Sequence, residues 1–404
     1  MAKSSRKERR GLLILLFFTF FMVVGFGMIM PLIVGHYVNA MGFSATAVAI
    51  ALATRQFSQQ GLALVGGALA DRFELRMLIS IGVLLRSVGF VTLAFASDYS
   101  ILLVAMIVIG LGGVLFEMPY QTAIATLTNS ENRSRYYSLN NTVTGIASTV
   151  GPLLGVLLLS FDFKIVCIGA AICFMVTFVI SRFAMPPITR TEPSYSVKDS
   201  IKAVANDRPY LMFTFFMIIF WLAASQINII FPLQIQEISG SAGSVGVMFA
   251  VYAAVTAVLQ YHLVSLLLRK YSSLQSVVMG IFIIAIALLL IAFVGTTFMF
   301  LAVVVLFTLG MLIARPNQQT IVVSIADPKA IGMYLGVNSL GFALGSGIGA
   351  IIGGIFFDLS KKTGLHMLPW FFFSVLSIVS MLGFMHMKKV SQSQVAISER
   401  KHIN

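Results

Sequence analysis

The feature that most limits the folds open to this chain is a succession of long apolar runs. A helix that crosses a bilayer needs roughly 20 consecutive apolar residues. Runs of that order fall near 11–38, 44–70, 77–97, 100–126, 136–160 and 164–185, and again near 209–236, 244–269, 274–295, 298–325, 331–357 and 367–388. In hydrocarbon every backbone N–H and C=O must be paired within the protein, and a helix pairs them within its own span. The expectation is an all-α polytopic membrane protein with 12 transmembrane helices. Composition agrees: 58% of the 404 residues are hydrophobic and 10% are charged, against about 25% charged in a soluble domain. The basic start at Lys3, Arg6, Lys7, Arg9 and Arg10 precedes an apolar run reaching about Val38. That run is too long for a signal peptide and reads as a retained first helix.

The net charge of +13 would suggest nucleic acid on a soluble protein; here it is an orientation signal. With the N-terminus inside, the cytoplasmic segments hold the five basic residues just named and Arg72, Arg76, Arg133, Arg135, Arg182, Arg190, Lys198, Lys202, Arg208, Arg269, Lys270, Lys329, Lys388, Lys389, Arg400 and Lys401. The opposite side holds Lys164, Lys361 and Lys362. This asymmetry places both termini in the cytoplasm. The polar stretch 186–208, opening on Pro186 and Pro187, reads as a cytoplasmic linker, with a short surface helix over Ser196–Ala205. It divides an N-terminal six-helix bundle, 1–185, from a C-terminal one, 209–390, with a cytoplasmic tail over 391–404.

The halves also repeat. At an offset of 198, Leu111, Gly112, Gln121 and Thr122 fall on Leu309, Gly310, Gln319 and Thr320, and Tyr136, Asn140, Gly151 and Gly155 on Tyr334, Asn338, Gly349 and Gly353. Parallel six-helix repeats imply two pseudo-symmetric bundles rocking about a central cavity.

Several chemistries are excluded. Cys167 and Cys173 lie in one apolar run, and His36, His262, His366, His386 and His402 lack metal-ligand spacing, so neither a disulfide framework nor a metal site is expected. There is no GxxxxGK[ST] loop for ATP. Gly345-Ser-Gly347-Ile-Gly349 sits within an apolar run and reads as close helix packing. An enzyme is not expected, nor any cofactor; the energy source would be a proton gradient.

Arg55, Arg86, Glu117 and Arg315 are charges inside spans. Each costs at least about 2.5–3.5 kcal/mol at the bilayer centre, so such residues face the bundle interior, find partners and mark transport pathways. Arg55 with Gln59, and Gln56 with Gln60, share helix faces at i, i+4 and form a polar stripe that could wall a cavity or tie helices together. Glu117 is the one intramembrane acid. Desolvation and neighbouring cations act oppositely on a carboxylate, which makes it the candidate proton-coupling residue. Arg315 occupies its repeat position, as a latch partner or a substrate anchor. Asn140, Asn141, Gln226, Asn228, Gln318, Gln319 and Asn338 are further cavity candidates, and Arg55, Gln56, Gln59 and Arg86 join them as substrate-binding candidates.

Gly67-Ala-Leu-Ala-Asp71-Arg72-Phe-Glu74-Leu-Arg76 resembles the loop signature of the major facilitator superfamily, with Glu74 where a glycine is usual. The resemblance implies a gating role for Gly67, Asp71, Arg72 and Arg76, the aspartate facing the positive end of the eleventh helix. Gly151-Pro152-Leu-Leu-Gly155 resembles the core of the motif typical of the family's antiporters. Arg55-Gln56-Phe57, Gly110-Leu-Gly112-Gly113, Leu115-Phe116, Phe357-Asp358-Leu359 and Leu368-Pro-Trp370 resemble multidrug resistance exporters of the MdtH type. The resemblance implies proton-driven antiport of small amphipathic drugs across a bacterial inner membrane by a monomer. Partners would then be a small-molecule substrate, protons and lipid, without nucleic acid. Three intramembrane arginines against one acid keep a second reading open, a dedicated transporter of an anionic metabolite such as a carboxylate siderophore.

Overall fold

The structure is a computed structural model that describes residues 6–63, 65–66, 69, 73–127, 133–185, 197–268, 271–326 and 330–401. Among these residues it is entirely helical. In chain order the helices are α1 (Arg6–Gly35), α2 (Ala45–Gln56), α3 (Leu75–Ala94), α4 (Tyr99–Leu127), α5 (Arg133–Leu159), α6 (Phe163–Val179) and α7 (Val197–Asn206). Then come α8 (Arg208–Ala224), α9 (Ile230–Ser239), α10 (Gly243–Leu268), α11 (Ser273–Ile291), α12 (Thr297–Ile325), α13 (Ile331–Thr363) and α14 (Leu368–Lys401). Among the described residues, ten helical segments are long and apolar enough to cross a membrane, and Gly243–Leu259 is a shorter apolar one. The second expected span continues from α2 into residues 64, 67, 68 and 70, which lie outside the described set.

Local chemistry explains the helix ends. Ser44, Asp162, Asp207 and Thr296 each accept a backbone N–H of the helix they precede, and Ser272 and Gln275 form a reciprocal capping box. Gly240 and Gly364 end α9 and α13 in the left-handed conformation, at φ 68° and 75°, which a side chain would disfavour. The short helix expected over Ser196–Ala205 is observed as α7, one residue later.

Two expectations of continuous helix are interrupted. The first span leaves α1 through a π turn at His36–Ala40. The seventh breaks into α8, a 3₁₀ turn at Ser225–Asn228 and α9. Gln226 replaces what the break removes: its amide donates to Leu222 O at 2.8 Å and to Gly349 O of α13 at 2.9 Å. Further π turns follow α2 at Phe57–Gly61 and α6 at Ile180–Ala184.

The chain forms two compact units. One comprises Met1–Ser194, Ile227–Ala257 and Ala350–Asp358, the other Tyr195–Gln226, Val258–Gly349 and Leu359–Asn404. In the first, α3 meets α4 backbone to backbone: a Cβ added at Gly112 would lie 2.6 Å from Gly82 O, and one at Gly82 2.7 Å from Gly112 O. In the second, Gly280 and Gly310 make the same contact between α11 and α12, at 2.7 Å in each direction. Gly82 and Gly112 fall on Gly280 and Gly310 at the 198-residue offset, so the sequence repeat is also a repeat of packing. Gly345 and Gly349 likewise let α13 press on α8, a Cβ at either lying 2.5 Å from Ile218 O or Leu222 O. These glycines serve close helix approach, which matters most where no hydrophobic force drives helices together.

Gly112→Val and Gly310→Val should each destabilise the purified protein by about 1–3 kcal/mol through overpacking, read as a lowered unfolding midpoint in detergent. Gly295→Val, where a Cβ meets open space, should leave the midpoint unchanged.

Candidate functional site: a buried charge cluster

The first unit gathers Arg55, Arg86 and Glu117. Arg55, in the last turn of α2, donates from Nη1 to Gln59 Oε1 at 3.1 Å and from Nη2 to Gln56 Oε1 at 3.0 Å. Gln59 in turn donates from Nε2 to Glu117 Oε2 of α4 at 2.9 Å. Its amide thus lies between guanidinium and carboxylate, oxygen toward the cation and N–H toward the anion. Gln60 donates to the same carboxylate oxygen at 3.3 Å. Gln59 and Gln60 are consecutive, and in an α-helix they would point about 100° apart. They lie in the π turn Phe57–Gly61, where a turn spread over more residues lets neighbouring side chains diverge less. This register change, invisible to i, i+4 counting, brings both amides to one oxygen; π turns recur at functional sites for such reasons.

Arg86 projects from α3 and is 4% exposed. It makes no hydrogen bond among the described residues, and its Nε is buried without a partner. Its guanidinium lies 5.5, 5.4 and 5.9 Å from the ring centres of Phe26, Phe116 and Phe174, and that of Arg55 lies 5.3 Å from the same Phe26 ring centre. Aromatic faces offer a desolvated cation part of the attraction it lost with water. Both arginines feel the field of Glu117, yet neither forms an ion pair with it among the described residues, where Arg76 pairs with Glu74. A fixed arginine–glutamate pair, the simplest structural reading of Glu117, is therefore not what forms. Glu117 Oε1 accepts no hydrogen bond among the described residues.

Glycines of α4 make room for the cluster. A Cβ at Gly110 would lie 2.7 Å from Arg55 O, and one at Gly113 2.6 Å from both Arg86 Nη2 and Gln59 Cδ. At the 198 offset Gly112 is kept as Gly310, but Gly110 and Gly113 become Thr308 and Met311, and Arg86 becomes Ile284. Ile284 fills the same niche: a Cβ at Gly310 would lie 2.6 Å from Ile284 Cγ1, as one at Gly112 would lie 2.8 Å from Arg86 Cγ. Packing there is satisfied by an isoleucine, so the arginine and its two extra glycines serve something other than packing.

The remaining candidates are dispersed. Asn140 accepts from Thr19 Oγ1 at 2.9 Å, and Thr19 is also bonded to the Tyr120 hydroxyl. The repeat-related Asn338 instead accepts from buried Gln318 at 2.8 Å. Gln226 is buried at the break described above, with its Oε1 unpartnered, while Asn228 and Gln319 are exposed. Arg315 is an exposed residue of the second unit without a hydrogen bond or ion pair among the described residues. Gly67, Asp71 and Arg72, and the side chain of Asn141, lie outside the described residues. Arg76 pairs with Glu74 at 3.0 Å and reaches Met185 O at 3.4 Å. Gly151 and Gly155 let α5 press on α1: a Cβ at Gly151 would lie 2.9 Å from Val24 O, and one at Gly155 3.0 Å from the Met28 Cα. Phe26 and Phe174 carried no signal in a chain with 34 phenylalanines.

The sequence pattern of the Major Facilitator Superfamily matches twice, over residues 15–233 and 213–401. The chain belongs to this superfamily. It is 31% identical over 383 residues, 95% of each chain, to the multidrug resistance protein MdtH of Salmonella newport (strain SL254), and equally to that of Salmonella typhimurium (strain LT2). Its fold is that of the nucleoside transporter NupG, with a TM-score of 0.80 at 13% identity over 93% of this chain and 99% of that one. A POT family transporter in complex with 5-aminolevulinic acid gives 0.76 at 14% identity over 92% and 95%. This superfamily member is a multi-pass membrane transporter, not an enzyme.

Removing the bridging amide should expose its contribution. Gln59→Leu leaves Arg55 and Glu117 each short of a hydrogen bond and should cost about 1.5–3 kcal/mol. Gln60→Leu should cost less, and a thermal-unfolding cycle with Glu117→Gln should show that the Gln59 loss depends on the carboxylate.

Proposed function

We propose that this transporter is a proton-coupled exporter of small amphipathic compounds, working as an antiporter by alternating access across a bacterial inner membrane. The observation that carries the reading is the Arg55–Gln59–Glu117 chain beside unpartnered Arg86. A proton-coupled carrier needs a group within its spans whose charge can change, and Glu117 is the acid in the cluster. Ionised, it accepts both glutamine amides and offsets one of two arginines. Protonated at Oε1, it leaves both guanidiniums uncompensated and weakens the amide bonds that tie α2 to α4. A proton therefore changes the force between two helices, and a cationic group of a substrate would compete with the proton for the same carboxylate. The likeness to MdtH supports drugs as cargo, and the Gly151-Pro152-Gly155 contact between α5 and α1 supports the antiporter reading. Twelve spans in two six-helix bundles, 1–185 and 209–390, with both termini cytoplasmic, fit the loop charges and this mechanism. In proteoliposomes with an imposed pH gradient, Glu117→Gln should insert normally and lose gradient-driven efflux. Undiminished efflux by that variant would overturn the coupling role.

One observation favours a second reading. The guanidiniums of Arg55 and buried Arg86 face a single carboxylate, and Arg86 has no hydrogen-bonded partner among the described residues, so an anionic metabolite such as a carboxylate siderophore would find an unmet positive charge. Competition by simple polycarboxylates, lost in Arg55→Gln and Arg315→Gln, would identify that cargo; preference for neutral or cationic compounds would exclude it.

A further inference from the structure

The first compact unit contains two segments from the second half of the chain: 227–257, which takes in α9 and the start of α10, and 350–358, near the end of α13. Their contacts with the first half lie where α1 ends and α2 begins. Gly354 of α13 presses on the first turn of α2, so that a Cβ there would lie 2.7 Å from Ala45 O and 2.8 Å from Thr46 Cα. One turn further along the same face, Asp358 accepts from Ala45 N at 3.0 Å with Oδ1, and from Thr46 N at 2.9 Å and Thr46 Oγ1 at 2.6 Å with Oδ2. Ser44 caps the next amide, that of Ala47, at 3.1 Å. The start of α2 is thus satisfied jointly by its own serine and by a carboxylate 312 residues away. Nearby, Gly35 faces Gln236 Oε1, Gly246 faces Val156, and His36, Asn39, Gln236 and Val245 help wall a cavity of about 240 Å³. Asp358 supplies a full charge, placed at the positive end of a helix where the amides and the dipole both favour an anion.

We propose that Asp358 is the latch that holds the outer gate of the transporter shut. The inference rests on the alternating-access reading, because a carrier must part these contacts to open on that side. Three charge-assisted bonds on one side chain hold the closed arrangement. All three donors can turn to water when α13 leaves α2, so the latch is strong when closed and leaves no buried orphan when open. Gly354 sets the reach: without a side chain at that point the helices approach closely enough for Asp358 to take both amides.

The test reads conformation directly, without substrate or gradient, so it stands whether or not the cargo and coupling assignments hold. Full-length protein with Cys167→Ala, Cys173→Ala and Val245→Cys is placed in lipid nanodiscs, where both faces meet the buffer, and its reaction with a polar maleimide is timed. Val245 is 1% exposed, so the parent reacts slowly. Asp358→Ala should raise the rate roughly tenfold or more, and Thr46→Val, which removes one bond of the three, should raise it by less. Gly354→Val, which wedges the helices apart, should raise it with the carboxylate intact. Parent-like rates in Asp358→Ala and Thr46→Val would overturn the latch. A rise in Gly354→Val alone would show that close packing, not the carboxylate, holds the gate.

Discussion

Apolar helices in an apolar solvent gain nothing from the hydrophobic effect when they meet, so the distance between their backbones decides how well they hold. In this protein that distance is set by glycine. Gly82 against Gly112 and Gly280 against Gly310 bring α3 to α4 and α11 to α12 at carbonyl contact. Gly151 and Gly155 do the same for α5 on α1, and Gly345 and Gly349 for α13 on α8. Everything polar in the bundle depends on these crossings, because amides and guanidiniums reach one another only when the helices carrying them lie close.

The charge cluster shows how the crossing is adapted. The shared glycine, Gly112 or Gly310, serves packing in both units. Gly110 and Gly113 occur in the first alone, where Arg55, Gln59 and Arg86 need the space. Thr308 and Met311 close that space in the second, where Ile284 stands in place of Arg86. One inherited contact therefore supports an apolar core in one unit and a buried ionic site in the other. Both arginines stay near the field of Glu117 without an ion pair to it among the described residues.

Membrane-spanning character was legible because hydrocarbon admits few structures and the apolar runs have the required length. The 198-residue repeat was legible because packing glycines recur at a fixed offset. The superfamily resemblance rested on short motifs, and alignment along 95% of the chain bears it out. Within the cluster, Arg55, Arg86 and Glu117 stood out as charges in apolar runs, whereas Phe26 and Phe174 did not, since an aromatic residue facing a cation looks in sequence like one facing lipid. The break at Gln226 was unread because Ser225–Asn228 contains neither proline nor glycine, and the side-chain bond that compensates it reaches Gly349 of another helix.

The sequence by itself determined that the chain is helical and membrane-spanning, which residues are costly to bury, and that the two halves share a plan. Each of these follows from local composition and spacing. Only the tertiary structure decided which polar groups meet. A π turn of five residues aims Gln59 and Gln60 at one carboxylate oxygen, and Asp358 caps a helix that begins 313 positions earlier at Ala45. Such partners are chosen by helix register and by how closely backbones approach, and neither is written in the order of residues along any single span.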